Sequence, residues 1–436
     1  IFLNMKIHLL GPCGTFMGGL AQILVDKGHQ VSGSDHQFYP PMSGQLEALG
    51  VEMIQGYDTV NLPDADLFVI GNALSRGNSS VEHILNAKLP FTSGPQMLGE
   101  MIKDKTVIAV AGTHGKTSTA FMLCEIFQHQ DMDIGYLVGG VSQSLELSAR
   151  LGSTNLFVIE ADEYDSAFFD KRSKFIHYHP DTFIINNIEF DHADIFPDLS
   201  DILKQFHHAV RTVPGEGNIL IHADGDNISE LLEMGCWSNT HQIGTKETIE
   251  LDLANKILNF KDETFNLKSL PFYGTHNYQN ALMAIYAAFL NGVQPKDSFA
   301  ALQNFQGVKR RFEKIYEDDN ITIIDDFAHH PTAIASTIAA AQDHFDGNIL
   351  GIIELGSNTM SGGFHGTNLH KSANSLDGTF WLNLSGSEGE GHEFTSVNAL
   401  LNNLKDNLDG FDVILIMSNK DSKKISEPLI ELIKKK

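Results

Sequence analysis

The chain has 436 residues, 42% hydrophobic and 19% charged, with a formal net charge of −25. That length exceeds one ordinary hydrophobic core and predicts about two to four domains, while the apolar content excludes a disordered chain. So acidic a protein is not built to neutralise a nucleic-acid backbone, and no apolar run approaches the ~18–20 residues of a membrane span.

The first stretch, IFLNMKIHLLG, runs straight into a strand and a glycine turn, with no signal-peptide pattern, which predicts a cytoplasmic protein. It continues as GPCGTFMGGLAQILVDKGHQVSGSD: strand, glycine turn, helix, and a second strand ending at Ser34–Asp35. This is a Rossmann-like βαβ start, although Gly11, Gly14 and Gly18 do not fit G-x-G-x-x-G. Cys13, Cys124 and Cys236 are widely spaced and form no CxxC, which fits a reducing compartment and argues against a disulfide framework or zinc knuckle. Cys13 lies in the glycine-rich loop and is the thiol to test as a nucleophile, against a plain structural role.

A second segment opens with VIAVAGTHGKTSTAFM. A phosphate loop of the form G-x-x-x-x-G-K-[ST] wants an earlier glycine where this chain has Val110. The working parts are nevertheless present. Gly112 and Gly115 free backbone N–H groups, Lys116 supplies a cation for phosphates, Thr117 a hydroxyl for Mg²⁺, and a helix N-terminus follows. The strand-like LFVIEADE puts Glu160, Asp162 and Glu163 at a strand's C-terminal end, and TFIINNIEFDH does the same for Asp191 and His192. The region 236–270 resists phasing as regular structure. The helical HNYQNALMAIYAAFL closes the segment, and a third begins near Gly307 with strands in NITIIDDF, NILGIIEL and DVILIMSN. The tail passes abruptly from that last strand into the charged NKDSKKISEPL. The expectation is an α/β protein of three domains: 1–104 Rossmann-like, 105–307 of the P-loop ATPase type, and 308–436 Rossmann-like.

Read in order, GTHGKT, EADE, NIEFDH, GTHNYQN, RRFE and DDFAHHP resemble the Mur ligase family, which joins amino acids or peptides to UDP-N-acetylmuramic acid. IHLLGPCGTFMGGLAQIL and VSGSD resemble that family's UDP-binding domain, so the resemblance spans nearly the whole chain. It implies ATP contacts from Gly112, Thr113, His114, Gly115, Lys116, Thr117, Ser118, Asn277, Asn280, Arg311, Asp326 and His329. It implies Mg²⁺ held through Thr117, Glu160 and His192, with Lys116, Glu160, His192 and Arg311 as the catalytic set. For the UDP-sugar it implies Gly14, Thr15, Phe16, Met17, Ser34, Asp35 and Ser75. The third domain is expected to close on ATP and bind the incoming amine.

In this chemistry the lactyl carboxylate of the sugar nucleotide takes the γ-phosphoryl group of ATP, and the amine then displaces phosphate from the acyl phosphate. GTFMGG, FAHHPTAI and SNTM (357–360) resemble the branch whose amine is the murein tripeptide L-alanyl-γ-D-glutamyl-meso-diaminopimelate, rather than free L-alanine. That branch usually carries E-P-R before S-N-T-M, where this chain has Glu354, Leu355 and Gly356, and its later glycine-rich run is missing at Lys420–Ser422. Several family members carry a carbamylated lysine in the helix after the D-H motif. Here the equivalent falls near His207 rather than Lys204, with Lys204 left open. The alternatives are the L-alanine ligase and, from another class, a nucleotide-binding regulator without catalysis.

Overall fold

The computed structural model describes residues 4–140, 142, 144–145, 147–190, 195–223, 225–355, 366–382 and 391–435. Three parallel sheets follow one another along the chain. In the first, β1 (Lys6–Leu10), β2 (Gln30–Asp35), β3 (Glu52–Gln55), β4 (Leu67–Ile70) and β5 (Phe91–Ser93) lie in the order β3-β2-β1-β4-β5. Ile7, Leu9 and Leu10 are all buried because a parallel sheet with covered faces leaves no wet side. His8 is buried among them and is held by hydroxyls: Nδ1 lies 2.8 Å from Ser32 Oγ and Nε2 2.9 Å from Ser34 Oγ. Burial lowers its pKa to about 4, so the ring is neutral at physiological pH. Strand order reverses between β1 and β4, the position at which α/β sheets open a ligand crevice beyond their carboxyl ends.

The glycines after β1 serve packing. A Cβ at Gly18 would lie 1.9 Å from Met42 Sδ, so its absence lets helix Thr15–Asp26 lie close against helix Met42–Ala48. This is a physical reason for a glycine-rich run that fails the dinucleotide fingerprint.

The central sheet has the order β14-β13-β12-β6-β9-β7-β8, from β6 (Thr106–Ala111), β7 (Gly135–Leu137), β8 (Ala149–Arg150), β9 (Leu156–Glu160), β12 (Thr182–Ile185), β13 (Asn218–His222) and β14 (Asn239–Ile243). Only the short β8 runs antiparallel. A hairpin of β10 (Asp165–Ala167) and β11 (Asp170–Ser173) ties this sheet to the first. At its tip Phe168 packs against the cluster of Leu10, Phe68, Ile70, Val81 and Ile84, and Phe169 meets Phe91 edge-on with centroids 5.1 Å apart. The region that resists phasing holds a small antiparallel sheet of β15 (Glu250–Asp252), β16 (Ile257–Phe260) and β17 (Glu263–Asn266). Strands this short carry too few alternations to register as a period.

The third sheet has the order β18-β19-β23-β20-β21-β22, from β18 (Glu313–Glu317), β19 (Thr322–Asp326), β20 (Ile349–Glu354), β21 (Gly378–Leu382), β22 (His392–Phe394) and β23 (Val413–Ser418). It is parallel except for β18. The abrupt tail is helix Lys423–Ile433, whose buried Ile425 and Leu429 hold it in place in spite of Pro428. The chain divides into two compact units: Ile1–Glu189, Leu199–Asn266 and Asn280–Phe305 form one, and Phe190–Asp198, Leu267–Gln279 and Gln306–Lys436 the other. The first two sheets belong to the first unit and the third sheet to the second. Among the described residues no helix is long and apolar enough to cross a membrane.

Candidate active site

β6 ends at Ala111, the chain turns through Gly112–Gly115, and helix Lys116–His129 begins at once. Gly115 sits at φ 81 in the left-handed region, and a Cβ there would fall 2.4 Å from Asn280 Oδ1. Both facts require glycine. Val110, where the common pattern has its first glycine, is a fully buried strand residue in register with Ile184 of β12 and Glu160 of β9. In this protein the loop proper starts later, so the variant pattern still forms a turn into a helix N-terminus.

Two short contacts join that turn to the end of β9. Lys116 Nζ donates to Gly112 O at 2.7 Å and to Glu163 Oε2 at 3.0 Å, and Glu163 is nearly fully buried. Thr117 Oγ1 donates to Glu160 Oε1 at 2.6 Å, and the Gly139 N–H donates to Glu160 Oε2 at 2.7 Å. Burial works against the Lys116 charge, but Glu163, Asp162 and Glu160 together outweigh it and hold the ammonium above the ordinary lysine range. The site thus presents a permanent cation beside hydroxyl and carboxylate oxygens. That donor set suits a hard divalent ion such as Mg²⁺ next to a phosphate.

Glu163 is the counter-ion of Lys116. Glu163→Gln should destabilise the unliganded protein by about 3 kcal/mol, the cost of leaving one member of a buried pair without its partner. ATP should narrow the deficit by supplying a replacement anion. Thermal unfolding of both proteins with and without ATP checks this. A deficit unaffected by ATP would mean that phosphate does not take the place of Glu163.

The end of β12 fixes the loop from the other side. Asn187 accepts from the Thr113 N–H through its backbone O at 3.1 Å and from the His114 N–H through Oδ1 at 2.8 Å, while the Glu189 N–H donates to Thr113 Oγ1 at 2.8 Å. Asn186 Nδ2 donates to Thr119 Oγ1 at 3.0 Å and to Asn280 Oδ1 at 3.4 Å. Ser118 lies buried in the first helical turn. Sequence reasoning assigned NIEFDH its histidine and missed Asn186 and Asn187. The doubled asparagine after an apolar strand was the available signal. Asp191 and His192 lie outside the described residues.

In the first sheet, Gly14 and Thr15 are exposed, Phe16 is half-buried and Met17 is buried. Asp35 accepts from the Cys13 N–H at 3.0 Å and the His36 N–H at 2.7 Å, so it holds the glycine loop at the carboxyl end of β2. Ser75, beyond β4, is exposed. The Ser34 side chain does not reach that surface: it is 2% exposed and engaged with His8. Cys13 is buried and its thiol pKa is raised, chiefly by burial, which argues against a reactive thiolate.

The second unit carries the remaining positions. Asn277 is buried, and its Nδ2 donates to Tyr273 O at 2.9 Å. Asp326 accepts from the Phe312 N–H at 2.6 Å, the Ala328 N–H at 2.7 Å and Thr337 Oγ1 at 3.2 Å. Arg311 lies over the Phe327 ring, 4.9 Å from its centroid, and His329 Nδ1 donates to Phe327 O at 2.9 Å. Arg310, unassigned from the sequence, bridges strand ends through Nη2 to Ser418 O at 2.6 Å, with Nε 3.6 Å from Asp325 Oδ2. Glu354 is buried at the end of β20 and accepts from Ser418 Oγ at 2.6 Å. Gly356 and SNTM (357–360) lie outside the described residues. Lys204 points outward and pairs with Asp201 at 2.6 Å, whereas His207 is buried with Nε2 3.0 Å from Gly235 O.

Family models match along the chain: Mur ligase family, catalytic domain over 6–106; Mur ligase middle domain over 110–288; and Mur ligase, glutamate ligase domain over 310–381. The UDP-N-acetylmuramate–L-alanyl-γ-D-glutamyl-meso-2,6-diaminoheptandioate ligase of Escherichia coli is 47% identical over 387 residues, covering 87% of this chain and 85% of that protein. The UDP-N-acetylmuramate–L-alanine ligase of Syntrophomonas wolfei is 34% identical over 361 residues, covering 79% and 75%. Among solved structures, a murein peptide ligase from Psychrobacter arcticus is 40% identical, covers 99% of each chain and has a TM-score of 0.75.

Proposed function

The chain belongs to the Mur ligase family of ATP-dependent amide-forming ligases, and from that premise we propose that it joins L-alanyl-γ-D-glutamyl-meso-diaminopimelate to UDP-N-acetylmuramate, as a step of peptidoglycan recycling. The observation that carries the acceptor is the difference in similarity: 47% identity to a tripeptide ligase over 87% of the chain, against 34% to an L-alanine ligase over 79%. ATP and a UDP-sugar as substrates agree with a cytoplasmic enzyme.

In this reading Gly112, Thr113, His114, Gly115 and Ser118 are assigned to the phosphates on their motif, with the helix N-terminus supplying N–H donors, while the Thr113 and His114 N–H groups hold the loop to Asn187. Lys116 exchanges Glu163 for the phosphoryl oxygens and neutralises charge that builds up as the lactyl carboxylate approaches. Thr117 and Glu160, with His192 from the motif resemblance, would hold Mg²⁺, which supplies charge neutralisation at the transferring phosphoryl group. Asn280 stands against the loop turn and keeps its shape. Asn277, Arg311, Asp326 and His329 are assigned to the nucleotide on their motifs, and Gly14, Thr15, Phe16, Met17, Asp35 and Ser75 to the UDP-sugar. Domain limits of 1–104, 105–307 and 308–436 belong to the same proposal.

Phosphate release from Mg-ATP and UDP-N-acetylmuramate decides the acceptor, with the tripeptide and L-alanine compared as amines. The expected result is turnover with the tripeptide and less than about one hundredth of it with L-alanine, the discrimination that buried polar contacts to a larger substrate can provide. Turnover with L-alanine alone would make the protein the biosynthetic enzyme. Nucleotide binding without turnover on any amine would favour the regulator.

A further inference from the structure

Lys174 is a second interior cation beside the acidic loop, and neither the motifs nor the mechanism above uses it. Its side chain is 8% exposed. The hairpin of β10 and β11 delivers it: Ser173 Oγ donates to Glu163 O at 2.6 Å and the Lys174 N–H donates to Tyr164 O at 3.0 Å, so the backbone is clamped to the loop that follows Glu160. Nζ lies 5.2 Å from the Phe16 ring centroid and 5.5 Å from that of Tyr164. An ammonium has three N–H donors. Among the described residues this one has a single polar partner, Asp162 Oδ2 at 3.3 Å, and the Asp162 side chain is 30% exposed.

A buried cation with one long ionic contact and two aromatic faces is short of acceptors. Its position says which acceptor is missing. On one side stands Phe16, in the first turn of the helix that follows β1, at the switch point of the first sheet. On the other stands Asp162, next to the Glu163 that holds Lys116. We propose that Lys174 is a binding residue for an anionic group of the sugar nucleotide, either its diphosphate or its lactyl carboxylate, at the junction of the UDP-sugar loop and the acidic loop. Asp162 keeps the ammonium in place until that anion arrives. The inference rests on the sugar-nucleotide reading of the first sheet.

Calorimetric titration of the full chain with UDP-N-acetylmuramate, UDP and a non-hydrolysable ATP analogue tests it, using wild type, Lys174→Met and Lys174→Arg. Wild-type binding of UDP-N-acetylmuramate tests the underlying reading alone, and its absence would sink both. The expected result for Lys174→Met is about 10- to 100-fold weaker binding of UDP-N-acetylmuramate, the worth of a hydrogen bond to a charged group, with the ATP analogue within twofold of wild type. Lys174→Arg keeps the charge and should recover part of the loss. A matching loss for UDP identifies the diphosphate as the anion, and unchanged UDP binding identifies the carboxylate. Unchanged UDP-N-acetylmuramate affinity in folded Lys174→Met would overturn the proposal, as would an equal loss for the ATP analogue, which marks a purely structural brace. Should Lys174→Met not fold, Lys174→Arg decides: a several-fold loss confined to the sugar nucleotide supports the assignment, and none refutes it.

Discussion

Methionine at position 116 is expected to leave a folded protein with kcat reduced by at least about 10³-fold, a loss near 4 kcal/mol of transition-state stabilisation. Lys116 is the cation at the N-terminus of helix Lys116–His129, and its charge is fixed by Glu163, Asp162 and Glu160. Bringing a carboxylate to a polyphosphate sets anion against anion, and a buried cation acts there with little screening. Removing it also takes away the cation 3.0 Å from Glu163, a 3% exposed carboxylate beside the phosphate loop. The variant therefore loses an attraction and gains a repulsion. Glu163→Gln in the same background should recover a small part of the rate by deleting the repulsion, with most of the loss remaining. Phosphate release at saturating UDP-N-acetylmuramate and tripeptide measures both proteins. A rate within tenfold of wild type would remove Lys116 from the catalytic set.

The nucleotide loop was legible because its requirements are local. Gly115 must take a left-handed conformation, Lys116 and Thr117 must open the helix, and an apolar strand must precede them. The first sheet could be read for the same reason: strand, turn, helix and strand recur within thirty-odd residues, the span of a βαβ unit. Residues that depend on register between distant strands were not legible. Asn186 and Asn187 meet the loop because β12 pairs with β6 from Thr182↔Ile108 to Ile185↔Ala111, a relation no motif encodes. The family resemblance implies Ser34 as a ligand, but strand alternation turns its hydroxyl toward His8. Lys174, in the charged stretch DKRSK, had the composition of a solvated hairpin. Its burial comes from the 3-10 turn Lys174–His177 packing against helix Gly94–Ile102, with the ammonium over the Phe16 ring. The lesson is that chemistry concentrated in one turn can be read from sequence, whereas chemistry assembled across strands needs the pairing.

Replacing Glu160 with glutamine should separate two roles that one carboxylate combines. Glu160 is an acceptor for Thr117 Oγ1 and the Gly139 N–H, and a glutamine carbonyl oxygen can accept one of these while its amide group cannot. The fold should survive with a modest loss of stability, about 1–2 kcal/mol for the acceptor removed. Catalysis should suffer far more. Thr117 and Glu160 are the hard-oxygen pair assigned to Mg²⁺, and deleting the charge of an anionic ligand should lower kcat by about 10²–10³-fold. The half-saturating Mg²⁺ concentration should rise with it, and excess Mg²⁺ should restore part of the rate. Glu160→Asp keeps the charge on a shorter arm and should fall between wild type and glutamine. A Mg²⁺ titration of phosphate release, run beside a thermal unfolding curve, distinguishes the roles. Loss of rate with an unchanged Mg²⁺ requirement would make Glu160 a brace for Thr117 and Gly139 and move metal binding to other residues. A raised Mg²⁺ requirement in a stable protein would assign the metal to the carboxyl end of β9, one strand from the phosphate loop it serves.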